Sequence, residues 1–180
     1  MDPVFLLSEQ EYEPLVRRAG VCEHEPFIMA YLLNPTPEKR AACKKIQESL
    51  GGIKMINVSE NSASERERNR HLLEFENVLG NIEVEDWVYY MKQAAFVVTD
   101  SFHGTCFSLI FKKPFLSFVN RQPGRFQVFE RFTGISERIV RSIELSKVEK
   151  YLEEIDYGIV EKELNEAREA SLSWLKKQLE

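Results

Sequence analysis

The heptapeptide Thr99-Asp100-Ser101-Phe102-His103-Gly104-Thr105 follows directly on the apolar run Phe96-Val97-Val98. A short buried strand that runs into small polar residues, a histidine and a glycine, then into an apolar helix, is how parallel α/β proteins build reactive loops. His103 can give or take a proton near neutral pH. Gly104 permits close backbone approach, and the helix read from Thr105 to Phe111 offers N–H donors to a carboxylate or phosphate. Each residue also has a structural reading. His103 can hydrogen-bond locally at a helix start, Ser101 can serve as a cap, and Asp100 can satisfy backbone donors of its own loop. No Ser-His-Asp arrangement follows from the spacing.

Arg121 and Arg125, with Gly124 between them, form a second candidate, next to Asn120. A guanidinium placed after a strand end or at a helix start can clamp an anion bidentately, although surface arginines are common. The chain carries no HExxH, Walker loop or GxGxxG, so a zinc hydrolase, a P-loop nucleotide hydrolase and a standard dinucleotide enzyme are unsupported. No metal site is expected.

These residues can share a site only if the strands that carry them run the same way. Phe27-Ile28-Met29-Ala30-Tyr31-Leu32-Leu33 is continuously apolar over strand length, which points to a strand covered on both faces. Thr36 with Pro37 then starts a helix whose inner face is Cys43, Ile46 and Leu50, and Gly51-Gly52 ends it before a second strand, Ile53 to Val58. The polar stretch Ser59 to Asn77 reads as a solvated loop or short exposed helix, with a lid over a site as the alternative. Val84, Trp87, Val88, Met91 and Ala95 mark an amphipathic helix. Phe115 to Val119 and Arg138-Ile139-Val140 read as strands, and Arg125 to Phe132 as a helix between them. Ser146 with Glu149 opens a further helix, and Ile159 to Leu179 closes the chain with a long one.

This alternation predicts a doubly wound parallel sheet of about five strands in a single domain. Ligands of such sheets bind beyond the carboxyl ends of the strands. Here those ends are Asn34, Ser59-Glu60-Asn61, Asp100 to His103, and Asn120-Arg121. Ahead of the first strand, Ser8 and Glu11 form a capping box for a helix reaching Gly20. The apolar Pro3-Val4-Phe5-Leu6-Leu7 before it either packs on the domain or joins something upstream.

At 180 residues the chain can bury roughly 70% of its unfolded surface. A net charge of −5 argues against nucleic acid as a partner, because phosphate binding needs a basic face. The three cysteines include no CxxC pair, Cys106 reads as a buried small hydrophobe, and a reduced, cytoplasmic setting fits. No apolar run approaches the ~18 residues of a membrane span.

Asp86 to Asn120, DWVYYMKQAAFVVTDSFHGTCFSLIFKKPFLSFVN, resembles the C-terminal part of the polysaccharide pyruvyl transferase family: a helix ending in an Ala pair, an apolar strand, a Ser-Xaa-His-Gly loop, an apolar helix and a Pro-Phe strand. Gly124-Arg125-Phe126, with Gly134 and Arg138-Ile139, is similar to that family's Arg-containing segment and tail. Asp2-Pro3-Val4-Phe5-Leu6-Leu7 looks like its mid-chain segment. The resemblance spans the chain but only the second half of a typical member.

The resemblance implies a Rossmann-like domain, one half of a GT-B-like two-domain architecture whose N-terminal domain is the missing partner. It implies transfer of the pyruvyl group of phosphoenolpyruvate onto two hydroxyls of a sugar or lipid-linked saccharide, making a pyruvate ketal in cell-surface polysaccharide synthesis. Phosphoenolpyruvate is then a donor substrate, no further cofactor is expected, and the isolated half is expected to be nearly inactive. His103 takes the acid role, with Ser101, Phe102, Gly104, Thr105, Asn120, Arg121 and Arg125 shaping the substrate site. Some members carry Arg and Leu before the His. Ser101 and Phe102 stand here instead, which leaves one clamping cation to come from Arg125 or the missing half. The alternatives are half of a nucleotide-sugar-dependent glycosyltransferase, and a non-catalytic Rossmann-like interaction module.

Overall fold

The computed structural model describes residues 1–59, 63–75, 77–120 and 123–179. Its centre is a six-stranded sheet in which all five neighbouring pairs are parallel, in the order β3-β2-β1-β4-β5-β6. The strands are β1 Phe27–Tyr31, β2 Lys54–Val58, β3 Val78–Leu79, β4 Phe96–Thr99, β5 Phe115–Phe118 and β6 Ile139–Val140. The expected five-strand count misses β3, whose two residues are too short to leave a pattern in the sequence.

Continuous hydrophobicity along the strands has the cause anticipated. On β1, Phe27 and Met29 join one core with Val97 and Phe115, while Ile28 and Ala30 join the other with Phe96, Val98 and Leu116. The first core is covered by α4 (Val84–Gln93), α5 (Phe102–Ile110) and the start of α7 (Tyr157–Leu179). The second is covered by α2 (Pro37–Ser49) and the last residue of α3 (Ala63–Leu73). Among the described residues, no helix is long and apolar enough to cross a membrane.

The apolar N-terminal segment packs on the domain. Pro3–Leu6 forms a 3-10 turn with Phe5 fully buried, capped by Asp2 and followed by α1 (Glu9–Val16) with its capping box. The Tyr12 hydroxyl donates to Val4 O at 2.9 Å, and Arg168 of α7 donates to Phe5 O at 2.7 Å.

Several boundaries differ from expectation. α1 stops at Val16 rather than near Gly20. The polar stretch after β2 contains α3, which buries Asn69 and Leu73. The expected helix from Arg125 to Phe132 is a single turn, α6 (Pro123–Phe126), followed by a 3-10 stretch over Gln127–Arg131. Ser146 starts no α-helix, because Leu145–Tyr151 is 3-10. The most consequential difference is α5, which begins at Phe102 and not at Thr105.

Candidate functional site

Parallel pairing brings the carboxyl ends of β1, β4 and β5 to one edge, and hydrogen bonds tie those ends together. Thr99 Oγ1 donates to Tyr31 O at 2.8 Å and accepts from Ser101 N at 3.0 Å. Asp100 is fully buried, yet it does not satisfy its own loop. Its carboxylate accepts from Leu33 N at 2.6 Å and Asn34 N at 2.9 Å, and pairs with Lys39 Nζ at 2.5 Å. Lys39 also donates to Asn34 O, and Asn120 Nδ2 donates to Asp100 O at 3.0 Å. One buried carboxylate therefore latches the β1–α2 connection to the end of β4. Sequence reasoning missed Lys39, since a lysine in a helix's first turn reads as solvated.

Ser101 is the N-cap of α5, its Oγ accepting from Gly104 N at 3.3 Å. The helix therefore starts at Phe102, and His103 and Gly104 sit in its first turn rather than in a loop. Gly104 is required by packing. A Cβ there would lie 2.4 Å from Thr99 Oγ1, so α5 can approach β4 this closely only with glycine. Thr105 Oγ1 bonds Ser101 O at 3.1 Å and Ser117 Oγ at 2.7 Å, tying α5 to β5. Phe102 stacks in the core against Phe129 and Phe126.

Every residue of α5 except His103 is buried. The His103 side chain is 49% exposed, and its Nε2 stands 3.7 Å from Asp2 Oδ2. The same oxygen lies 3.7 Å from Arg125 Nη2. α6 lays the Arg125 guanidinium over the Phe102 ring, 4.3 Å from its centroid, a cation–π contact that fixes where the charge sits. An imidazole and a guanidinium thus face a single carboxylate. A cleft of about 560 Å³ opens beside them, with Ser101 and His103 at one end and Tyr31, Glu83, Trp87 and Phe107 among its walls.

The structure brings His103 and Arg125 together, and turns Phe102, Gly104 and Thr105 into the fold. Ser101 is mainly a cap, although it reaches the cleft wall. Asn120 lines a separate depression of about 440 Å³ with Lys39, Thr36 and Arg68. Arg121 lies outside the described residues, as do Glu60 and Asn61. Arg138 is buried and donates to the carbonyls of Tyr151 and Glu153, so it pins the segment before α7. Among the described residues, no group of three or more His, Cys, Asp or Glu is placed to hold a metal ion. Asp2 is the site residue that motif reading passed over. The Asp-Pro dipeptide signals a turn, but nothing in the sequence places it against His103.

Comparison with curated proteins gives no match. Two matches among solved structures are of low similarity. One is UDP-GlcNAc 2-epimerase from Neisseria meningitidis bound to UDP-GlcNAc, at 14% identity and TM-score 0.45, matched over 92% of this chain and 47% of that one. The other is a candidate UDP-N-acetylglucosamine 2-epimerase from Listeria monocytogenes, at 16% identity and TM-score 0.42, over 63% of this chain and 33% of that one. The chain thus spans between a third and a half of the length of these two structures. The family model of polysaccharide pyruvyl transferases matches residues 1–122, a stretch that includes the Asp2 turn, the latch at Asp100 and the His103 helix start. The chain belongs to the polysaccharide pyruvyl transferase family.

Proposed function

We propose that this chain supplies the donor side of a transferase that moves the pyruvyl group of phosphoenolpyruvate onto two hydroxyls of a saccharide. Family membership supports the transferase class. The observation that carries the donor assignment is that His103, the exposed residue of an otherwise buried α5, and Arg125 of α6 both face the same Asp2 oxygen. The donor carries a carboxylate, a phosphate and a methylene carbon. Arg125 offers its fork to one of the anions. His103 supplies the proton.

The chemistry balances without a further reagent. The imidazolium proton adds to the methylene carbon, and the C=C electron pair becomes the new C–H bond. The carbon bearing the phosphate is left as an oxocarbenium-like centre, which the first hydroxyl attacks while losing its proton. Phosphate then leaves with its bonding pair, and the second hydroxyl closes the ketal. One proton enters at carbon, two leave the hydroxyls, and the released phosphate keeps one of them. A positioned acid of this kind contributes on the order of 10²–10⁴ in rate.

On this reading the chain is one wall of a cleft, and turnover needs a second Rossmann-like half. The chain alone then binds donor with little turnover, in a cytoplasmic setting where phosphoenolpyruvate is present. Calorimetric titration with phosphoenolpyruvate and with a nucleotide sugar tests the assignment. Saturable heat from phosphoenolpyruvate that weakens at least several-fold in both His103→Ala and Arg125→Ala is the expected result. Binding of the nucleotide sugar instead, or donor binding indifferent to both substitutions, overturns it.

A further inference from the structure

We propose that Asp2 is a positioning residue for His103: its carboxylate holds the imidazole proton on Nε2 and leaves Nδ1 as the nitrogen that exchanges a proton with substrate. This rests on the reading of His103 as the proton donor. Asp2 is far from His103 in sequence and is delivered to it by a fixed turn. Its Oδ1 accepts from Val4 N at 3.2 Å, while Oδ2 faces His103 and Arg125. The turn is anchored on three sides, by buried Phe5, by the Tyr12 hydroxyl on Val4 O, and by Arg168 on the carbonyls of Phe5 and Leu7.

A carboxylate can only accept, and at 3.7 Å from Nε2, an ion-pair distance longer than a hydrogen bond, its charge favours the tautomer that carries the hydrogen on that nitrogen. Among the described residues, Asp2 faces the imidazole, Arg125 shares the same Asp2 oxygen, and Glu83 shares the cleft wall with it. The Tyr12 hydroxyl and Cys106 thiol also feel the Asp2 charge. Burial first, and Asp2 second, push both toward their neutral forms, so neither competes as an anion.

The consequence for the reaction is specific. The doubly protonated ring gives up its Nδ1 proton to the methylene carbon and is left as the neutral Nε2–H tautomer, the form Asp2 supports. Because one oxygen serves both His103 and Arg125, an incoming anion that takes Arg125 leaves Asp2 to His103 alone.

The test is ¹⁵N NMR of the imidazole in the 180-residue chain, comparing wild type with Asp2→Asn. Asparagine keeps the cap, since its Oδ1 still accepts from Val4 N, but it turns an NH₂ donor toward the ring. Wild type is expected to show His103 chiefly as the Nε2–H tautomer. Asp2→Asn is expected to shift the tautomer ratio toward Nδ1–H by about threefold or more, the scale of one carboxylate charge at ion-pair distance from a half-exposed ring. A wild-type ring that is chiefly Nδ1–H overturns the proposal without any variant, and so does an unchanged ratio in a folded Asp2→Asn. The readout needs no substrate. Failure to bind phosphoenolpyruvate refutes the proposed function and leaves the tautomer result standing, whereas an Nδ1–H ring refutes the role of Asp2 and leaves donor binding standing.

Discussion

His103 and Gly104 are adjacent and do opposite jobs. His103 faces solvent from an otherwise buried helix, while Gly104 lets that helix sit against β4. Gly104→Ala must push a methyl into the Thr99 side chain, so it should cost about 1–3 kcal/mol, read as a lower urea midpoint. His103→Ala removes no buried contact and should change stability by less than about 0.5 kcal/mol. A Gly104→Ala protein as stable as wild type would contradict the close approach of α5. At this scale the sequence was legible in residue type and misleading in role. Ser101, Phe102, Gly104 and Thr105 are small, polar or aromatic residues beside a histidine, which reads as a ligand loop. All four instead cap the helix, pack its first turn or tie it to β5, and those contacts depend on where Thr99, Phe129 and Ser117 arrive from elsewhere in the chain.

At the scale of elements, two clasps hold the site's frame. The first is Asp100 with Lys39 and the backbone of Leu33 and Asn34. Lys39→Met leaves a fully buried carboxylate without its counter-charge and is expected to cost about 3–5 kcal/mol by denaturant unfolding. The second joins α1 to α4, where Lys92 meets Glu13 and Glu9. The hydrogen bond from Lys92 holds the Glu13 carboxyl below its ordinary 4.5. For Lys92, burial works against the ammonium, but the bond to Glu13 and the charges of Glu13 and Glu9 outweigh it and hold the group above its ordinary 10.5. The clasp is therefore complete between those two values. It weakens as pH falls below 4.5 through the lowered Glu13 value, and as pH rises above 10.5 through the raised Lys92 value. Lys92→Met should flatten the acid limb of a stability-versus-pH curve, and an acid limb identical to wild type would contradict the clasp. The long elements were readable because β1, β2, β4 and β5 are unbroken apolar runs and α2 has a Thr-Pro start and a Gly-Gly stop. β3 was not, being two residues held by its partner strand. The start of α5 was not either, because a glycine in the first helical turn looks like loop until the strand beneath it is known.

Across the whole molecule, one sheet separates two cores, and the candidate residues gather at its carboxyl edge. Thiol chemistry reports on that division. Cys43 lies in the second core, where burial pushes its thiol up to about 12, and Cys106 is buried in the first and is also pushed up. Cys22 is exposed. A thiol reagent at neutral pH should modify Cys22 promptly and the other two only as fast as the protein opens. Prompt reaction at all three would contradict the packing of both faces. The doubly wound class and the edge at which the candidate residues gather could be read from the sequence, because alternation of strand and helix dictates both. The meeting of Asp2 with His103 and Arg125 could not, since it joins three segments distant in the chain.

The most direct test of the central claim is a phosphoenolpyruvate titration of this chain followed residue by residue through its backbone amides. Saturable shifts concentrated on Asp100 to Thr105, Arg125 and the Asp2 turn, lost in His103→Ala, are the expected result. Shifts confined to the depression around Thr36, Lys39 and Arg68, or a response that His103→Ala leaves intact, would contradict it.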